Sequence, residues 1–207
     1  MQFNEEHGDA GLVSVTWMPF MIDPGTNESG EAYLAYNERR WGGDGWTASL
    51  RAKGHRCGAP FSNWVWWPHT LDAHRLMHFA STKYGNAAAD ALKGALFDAC
   101  YEEGRNISER ACLVEVGAAC LGAFGADAGA AGAGVERTLG DFLASDAGRS
   151  EVLHDCHEAS GSGVRGVPYF IVSAPGGAGG VDSRPYGLSG AQDADTLLRV
   201  FNDVAGR

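Results

Sequence analysis

Positions 12–17, Leu-Val-Ser-Val-Thr-Trp, alternate apolar with polar side chains and are rich in β-branched residues, which predicts a short strand. Pro19 and Pro24 end it, because a proline has no N–H to give a ladder. A long helical block follows. Residues 31–40 and 46–53 predict short helices on either side of the loop Trp41-Gly42-Gly43-Asp44-Gly45. Ala73, Leu76, Met77, Ala80 and Tyr84 fall at helical spacing, as do Ala88, Ala91, Leu92, Ala95 and Ala99. Leu113, Val116 and Cys120 form the next stripe, with Ser108 placed as its N-cap. Residues 122–134 are Ala/Gly-rich and compatible with a loosely formed helix or with a loop, since repeated glycines weaken helices. Val135, Leu139, Phe142 and Leu143 resume a helical face, and Val152, Leu153, Cys156 and Ala159 form another. Residues 169–173 then predict a strand, 175–180 a turn, and 181–186 the returning strand of a hairpin. Ala194, Leu197, Leu198, Phe201 and Val204 make a final amphipathic helix. The order is strand, helical block, hairpin, helix. It predicts an α/β class whose sheet-forming parts lie far apart in sequence, and no internal repeat interrupts it.

Composition narrows the classes. A chain of 207 residues forms one domain, or one domain with an inserted subdomain. Its 44% apolar and 20% charged residues are those of a folded protein with a core, which sets disorder aside. The net charge of −10 disfavours nonspecific nucleic-acid binding, which needs basic side chains to neutralise phosphates. No stretch reaches about eighteen apolar residues, so no membrane span is expected. The N-terminus is Glu-rich, without a basic start and an apolar run, so no secretory signal is expected. Five scattered cysteines form no disulfide framework and suit a reducing compartment, which makes cytoplasmic the expected location. The oligomeric state is left open.

Gly163-Val164-Arg165-Gly166-Val167-Pro168-Tyr169-Phe170-Ile171-Val172 carries the densest local signal. A proline can begin a strand but not sit inside its ladder, and an X-Pro bond is the one peptide bond that turns cis at modest cost. Gly166, Val167 and Pro168 therefore read either as a cis-proline loop exposing the Val167 main chain or as a trans proline opening an edge strand. His74 and His78 stand four apart on one predicted helix, near His69, but the spacing indicates no third ligand, and no metal is expected. His154, Cys156 and His157 form the other such group; Cys156, like Cys120, falls on an apolar stripe and reads as a buried thiol. Cys57 lies in the basic run Lys53-Gly54-His55-Arg56-Cys57-Gly58, where positive charge favours the thiolate, so it reads either as reactive or as an ordinary loop cysteine. Trp64, Trp66 and Trp67 either pack against the helices or line an apolar cleft.

Several blocks recur together. They are Trp17-Met18-Pro19-Phe20, Thr70-Leu71-Asp72-Ala73-His74-Arg75-Leu76, Leu96-Phe97 with Tyr101 to Ser108, the Gly166-Val167-Pro168 loop, and Leu188-Ser189-Gly190-Ala191-Gln192. In this order and spacing they resemble the DsbA-like thioredoxin family, closest to its FrnE-type members. The resemblance implies a thioredoxin-like core, incomplete at its N-terminus, from residues 1–27 and 160–207, with an inserted α-helical domain at 28–159. It implies a cis Pro168 and a substrate site at Gly166, Val167, Pro168 and His74. The partner would be glutathione or a disulfide-containing protein, paired along the Val167 main chain by strand addition. No cofactor is implied beyond glutathione as substrate or co-substrate.

The family's chemical part has no counterpart here. Cys57, Cys100, Cys112, Cys120 and Cys156 include no Cys-x-x-Cys pair, so no catalytic residue is assigned. The expectation is a protein of thiol–disulfide oxidoreductase type, truncated, and weakly active or inactive as given. Two alternatives stand beside it: a glutathione-dependent transferase or isomerase of the same fold, in which serine replaces the pair, and a noncatalytic ligand- or peptide-binding remnant.

Overall fold

A computed structural model describes residues 13–124, 131–174 and 185–205. They fall into two units, one from Thr16 to Cys156 and the other from the described residues outside that span. Regular structure is mostly helical, with two small antiparallel sheets, which is an α/β class.

The first described residues carry no strand. Residues 13–17 form no ladder, because the alternating pattern needs a partner strand and finds none among the described residues. Trp17 is instead held by side chains. Its Nε1–H donates to Asp90 Oδ1 at 2.9 Å, and the Lys93 ammonium lies 4.2 Å from its ring centroid. The first ladder is β1 (Glu31–Ala32), antiparallel to β2 (Trp66–Trp67). Helix α1 (Tyr33–Trp41) follows and ends at Gly42, whose φ of 71° is the left-handed stop that a side chain would oppose. A 3-10 turn at Gly45–Thr47 leads into α2 (Ala48–Arg56).

Trp64 and Trp67 pack. Trp64 is buried beside Tyr33, Phe61 and Tyr101, and Trp67 stacks on Tyr36 with ring centroids 4.0 Å apart. Trp66 is half-buried at the edge of a shallow groove. Burial, with a hydrogen bond to Asp23, pushes the Tyr36 phenol up to about 12.

The core belongs to α3 (Leu71–Tyr84), α4 (Asn86–Phe97), α5 (Arg110–Leu121) and α6 (Ala131–Ala144). Leu76, Leu92, Leu113, Leu121, Leu139 and Leu143 are fully buried, each stabilising by roughly 1.5–3 kcal/mol. Gly117 lets α5 approach this packing. A Cβ there would stand 2.8 Å from Leu139 Cδ1 and 3.2 Å from Leu76 Cδ2. Residues 125–130, the middle of the Ala/Gly-rich stretch, lie outside the described residues; Gly122–Phe124 before them is a 3-10 turn. Ser108 does not cap α5. Its hydroxyl accepts from the His69 N–H at 2.8 Å, and Glu109 takes the N-cap place. The hydroxyl is drawn to a segment thirty-nine positions away, which local pattern does not register.

One buried cation ties two of these helices. Arg75 on α3 is 1% exposed. Its Nε donates to Ala147 O at 3.0 Å, and Nη2 to Phe142 O at 3.1 Å and Ser145 O at 2.6 Å. Nη1 reaches Asp72 Oδ1 at 2.7 Å and Leu143 O at 3.4 Å. The carbonyls at the end of α6 carry the negative end of its dipole, so a guanidinium there is matched in charge as well as in hydrogen bonds.

Helix α7 (Arg149–Gly161) contains the division between the units. In the smaller unit, β3 (Tyr169–Val172) pairs antiparallel with β4 (Tyr186–Ser189), Phe170 opposite Leu188. The described part of the returning strand lies at 186–189 and overlaps the predicted span 181–186 at Tyr186. The predicted turn at 175–180 and most of that span lie outside the described residues. The last helix, α8 (Ala194–Val204), is capped by Asp193, whose Oδ1 accepts the Thr196 N–H at 2.7 Å. No helix among the described residues is long and apolar enough to cross a membrane.

Candidate substrate-docking loop

The turn after α7 opens at Gly163, with φ of 92°. The Val164 N–H bonds back to Ala159 O at 3.1 Å, and the Arg165 guanidinium donates to Ser160 O. The start of the loop is thus fastened to the helix it leaves. Its other end is fastened to the hairpin, where Pro168 O accepts the Gly190 N–H at 2.9 Å. Gly190 has φ of 81°, a conformation that costs glycine least.

Between these anchors stand Gly166 and Val167. The Val167–Pro168 peptide bond is cis. Val167 is 50% exposed, and among the described residues neither its N–H nor its C=O makes a hydrogen bond. A Cβ on Gly166 would meet nothing within 4 Å, so open space lies beside it. The strand continues that exposure. Tyr169 and Ile171 are exposed while Phe170 and Val172 are half-buried. Sequence reading did not single out Tyr169 and Ile171 as part of this surface, although the period-two alternation of a short strand marks them as its outward face.

Gly166, Val167 and Pro168 are consecutive in the smaller unit, and His74 belongs to the larger one. His74 is half-buried on α3 and hydrogen bonded to the Phe20 main chain. Burial pushes its imidazole down to about 4, only partly offset by that bond, so the ring is neutral at physiological pH. A neutral, internally bonded imidazole ties α3 to the Trp17–Phe20 segment.

All five cysteines are free thiols. Burial pushes Cys100 up to about 12 and raises Cys112, Cys120 and Cys156, so these four are thiols at neutral pH, not thiolates. Cys57 is exposed at the C-terminus of α2, whose last turn holds Lys53, His55 and Arg56. Among the described residues no group of His, Cys, Asp or Glu side chains is arranged to hold a metal ion, the His69, His74, His78 set and the His154, Cys156, His157 set included.

A search of curated proteins finds no match. The family model of the DSBA-like thioredoxin domain matches residues 4–202, which takes in both units and the loop at Val167. By that match the chain belongs to the DSBA-like thioredoxin domain family, a family of thiol–disulfide oxidoreductase type.

Proposed function

We propose that this chain binds an extended thiol- or disulfide-bearing partner, glutathione or a cysteine-containing peptide, along Val167, and that its own cysteines turn such a partner over weakly or not at all. The observation that carries this reading is the unengaged main chain of Val167, half-exposed and fastened on both sides. Strand addition needs such a donor and acceptor at a fixed place, with room for a second backbone beside them. The open space at Gly166 supplies the room. Each main-chain hydrogen bond gained contributes about 1 kcal/mol net, so contacts along Tyr169 and Ile171 are needed to raise affinity above the weak range.

Turnover requires a thiolate that attacks a disulfide sulfur and a second thiol that resolves the mixed disulfide. Four of the five thiols are held protonated by burial, and no Cys-x-x-Cys pair is present in the 207 residues. Binding therefore outruns chemistry in this reading. Five free thiols support a cytoplasmic, reducing setting.

The test is an amide-resolved NMR titration with glutathione disulfide. Saturable shifts of Gly166, Val167 and Tyr169 are expected, weakened about fivefold in Val167→Pro, which removes the donor N–H. Unmoved amides at millimolar glutathione disulfide would overturn the reading. Disulfide reduction that Cys57→Ser abolishes would overturn its second half.

A further inference from the structure

A cavity of about 420 Å³ opens in the larger unit, lined by no cysteine and, of the histidines, by His69 alone. Its walls are Glu28 and Ser29, His69, Leu71 and Asp72 at the start of α3, Ser108 and Arg110 at the start of α5, and Arg149 at the start of α7. These segments are distant in sequence and tied to one another before any ligand arrives. Asn106 Nδ2 donates to Ser29 O at 2.8 Å, Asn106 Oδ1 accepts the Ser108 N–H at 3.1 Å, and Ser108 Oγ accepts the His69 N–H at 2.8 Å. Gly30, at φ of 78°, sits so close that a Cβ there would lie 2.8 Å from Ser108 Oγ and 2.9 Å from Asn106 Oδ1.

Two guanidinium groups, Arg110 and Arg149, meet two carboxylates, Asp72 and Glu28, in this cavity, and they differ in how far they are already engaged. Asp72 is satisfied on both oxygens, Oδ1 by Arg75 at 2.7 Å and Oδ2 by Arg110 Nε at 2.8 Å. Its carboxylate is held below the ordinary range by these two guanidinium partners, against the opposing pull of burial. Arg110 spends only Nε on that bond, which leaves both of its Nη groups to the cavity. The half-buried Arg149 side chain has no hydrogen bond or ion pair among the described residues. Ser108 accepts from His69 and keeps its own O–H to donate. No side chain caps the N-terminus of α3 or α5, so main-chain N–H groups of both first turns add to the donors. Glu28, exposed at the rim, makes no side-chain hydrogen bond or ion pair among the described residues, and its carboxylate and that of Asp146 both act on Arg110 through charge.

We infer that this cavity is a binding site for a small oxyanion, a carboxylate or a phosphate, held between the guanidinium groups of Arg110 and Arg149. Planar guanidinium forks fit either oxyanion through paired hydrogen bonds, and the hydroxyl of Ser108 supplies a further donor. Glu28 separates the two sources. It opposes a bare phosphate, and it pairs with the ammonium group of an amino acid whose carboxylate lies on the arginines. This site is independent of the Val167 reading, and either stands if the other fails.

The experiment is a titration of the full chain at constant ionic strength, once with inorganic phosphate and once with glycine, read by NMR at the Arg Nε–H signals and the Leu71 and Asp72 amides. Saturable shifts at Arg110 and Arg149 with at least one probe are expected. Arg149→Gln should weaken that binding about tenfold, the worth of a hydrogen bond to a charged group. Arg149→Lys, which keeps the charge and loses the fork, should fall between wild type and Arg149→Gln. Glu28→Gln should tighten phosphate if the ligand is a bare anion, and weaken glycine if it is an amino acid. No saturable shift with either probe would overturn the site. So would wild-type affinity in both Arg149→Gln and Arg110→Gln.

Discussion

The larger unit and the hairpin unit divide the work of folding unequally. The longer ladder, four residues of β3 against four of β4, lies in the smaller unit, whereas the larger unit has only a two-residue ladder. Burial runs the other way. One continuous core joins α3, α4, α5 and α6, while in the smaller unit Val164 and Val200 are the buried apolar side chains among the described residues. Tyr169, Ile171 and Tyr186 of the hairpin are exposed. Ladder hydrogen bonds largely replace bonds to water and contribute little net, whereas apolar area removed from water drives folding. The helical unit is therefore the part that holds, and the hairpin unit is the part whose apolar strand face stays exposed.

Breaking the buried cation should have the largest effect. Arg75→Ala leaves the carbonyls of Phe142, Leu143, Ser145 and Ala147 without that donor and strips Asp72 of one partner. A loss of about 3–5 kcal/mol is expected, read as a lowered midpoint of thermal unfolding. Hydrogen exchange then sharpens the comparison. Amides of α3 and α6 should lose protection while those of β3 keep theirs, and equal loss in both would mean the two units unfold as one.

Matched truncations come next. Leu113→Ala in the core should cost about 3 kcal/mol through lost burial and a residual cavity, whereas Ile171→Ala on the 68%-exposed strand position should stay within about 0.5 kcal/mol. Chemical denaturation of both variants checks this, and similar costs would erase the contrast.

Acid supplies the last and most specific test. His74 titrates at about 4 in the folded protein, below the ordinary 6.5. The unfolded chain thus takes up the proton first. The contribution is complete above pH 6.5 and is lost as pH falls through 4. The size is about 3 kcal/mol. Thermal unfolding of wild type should drop more steeply across that window than that of His74→Gln; parallel curves would show that the imidazole is not shielded.

What the chain reveals without its structure follows from distance along it. The last helix, Ala194–Val204, was legible because Leu197, Leu198, Phe201 and Val204 lie within one amphipathic turn pattern, and Asp193 stands where a cap belongs. The proline turn was legible for the same reason, since Gly166, Val167 and Pro168 adjoin the strand they lead into. The strand expected at residues 12–17 is absent from the described residues 13–17, because alternation specifies a face but not a neighbour. The β1–β2 ladder was hidden because two residues display no period. Arg75 looked like one more polar position on a helix; the carbonyls it binds are 67 to 72 positions away. The cavity beside Arg110 and Arg149 was invisible on the same account, being assembled from four separate segments.

The Arg75 latch reads main-chain carbonyls at the end of α6 and takes nothing from the side chains that follow them. It is therefore blind to mutation at Ala144, Asp146 and Ala147, all exposed. Ala144 and Ala147 are open to recoding or to a label while the helices stay in register, whereas the Ser145 hydroxyl between them donates to Phe142 O and accepts the Ala147 N–H, and the Asp146 carboxylate acts on Arg110. The limit on that freedom is Gly148, whose φ of 73° and contact with the Phe142 ring exclude a larger residue. Recodable positions bounded by one conformationally constrained glycine make a ready place to write new surface chemistry on an unchanged frame.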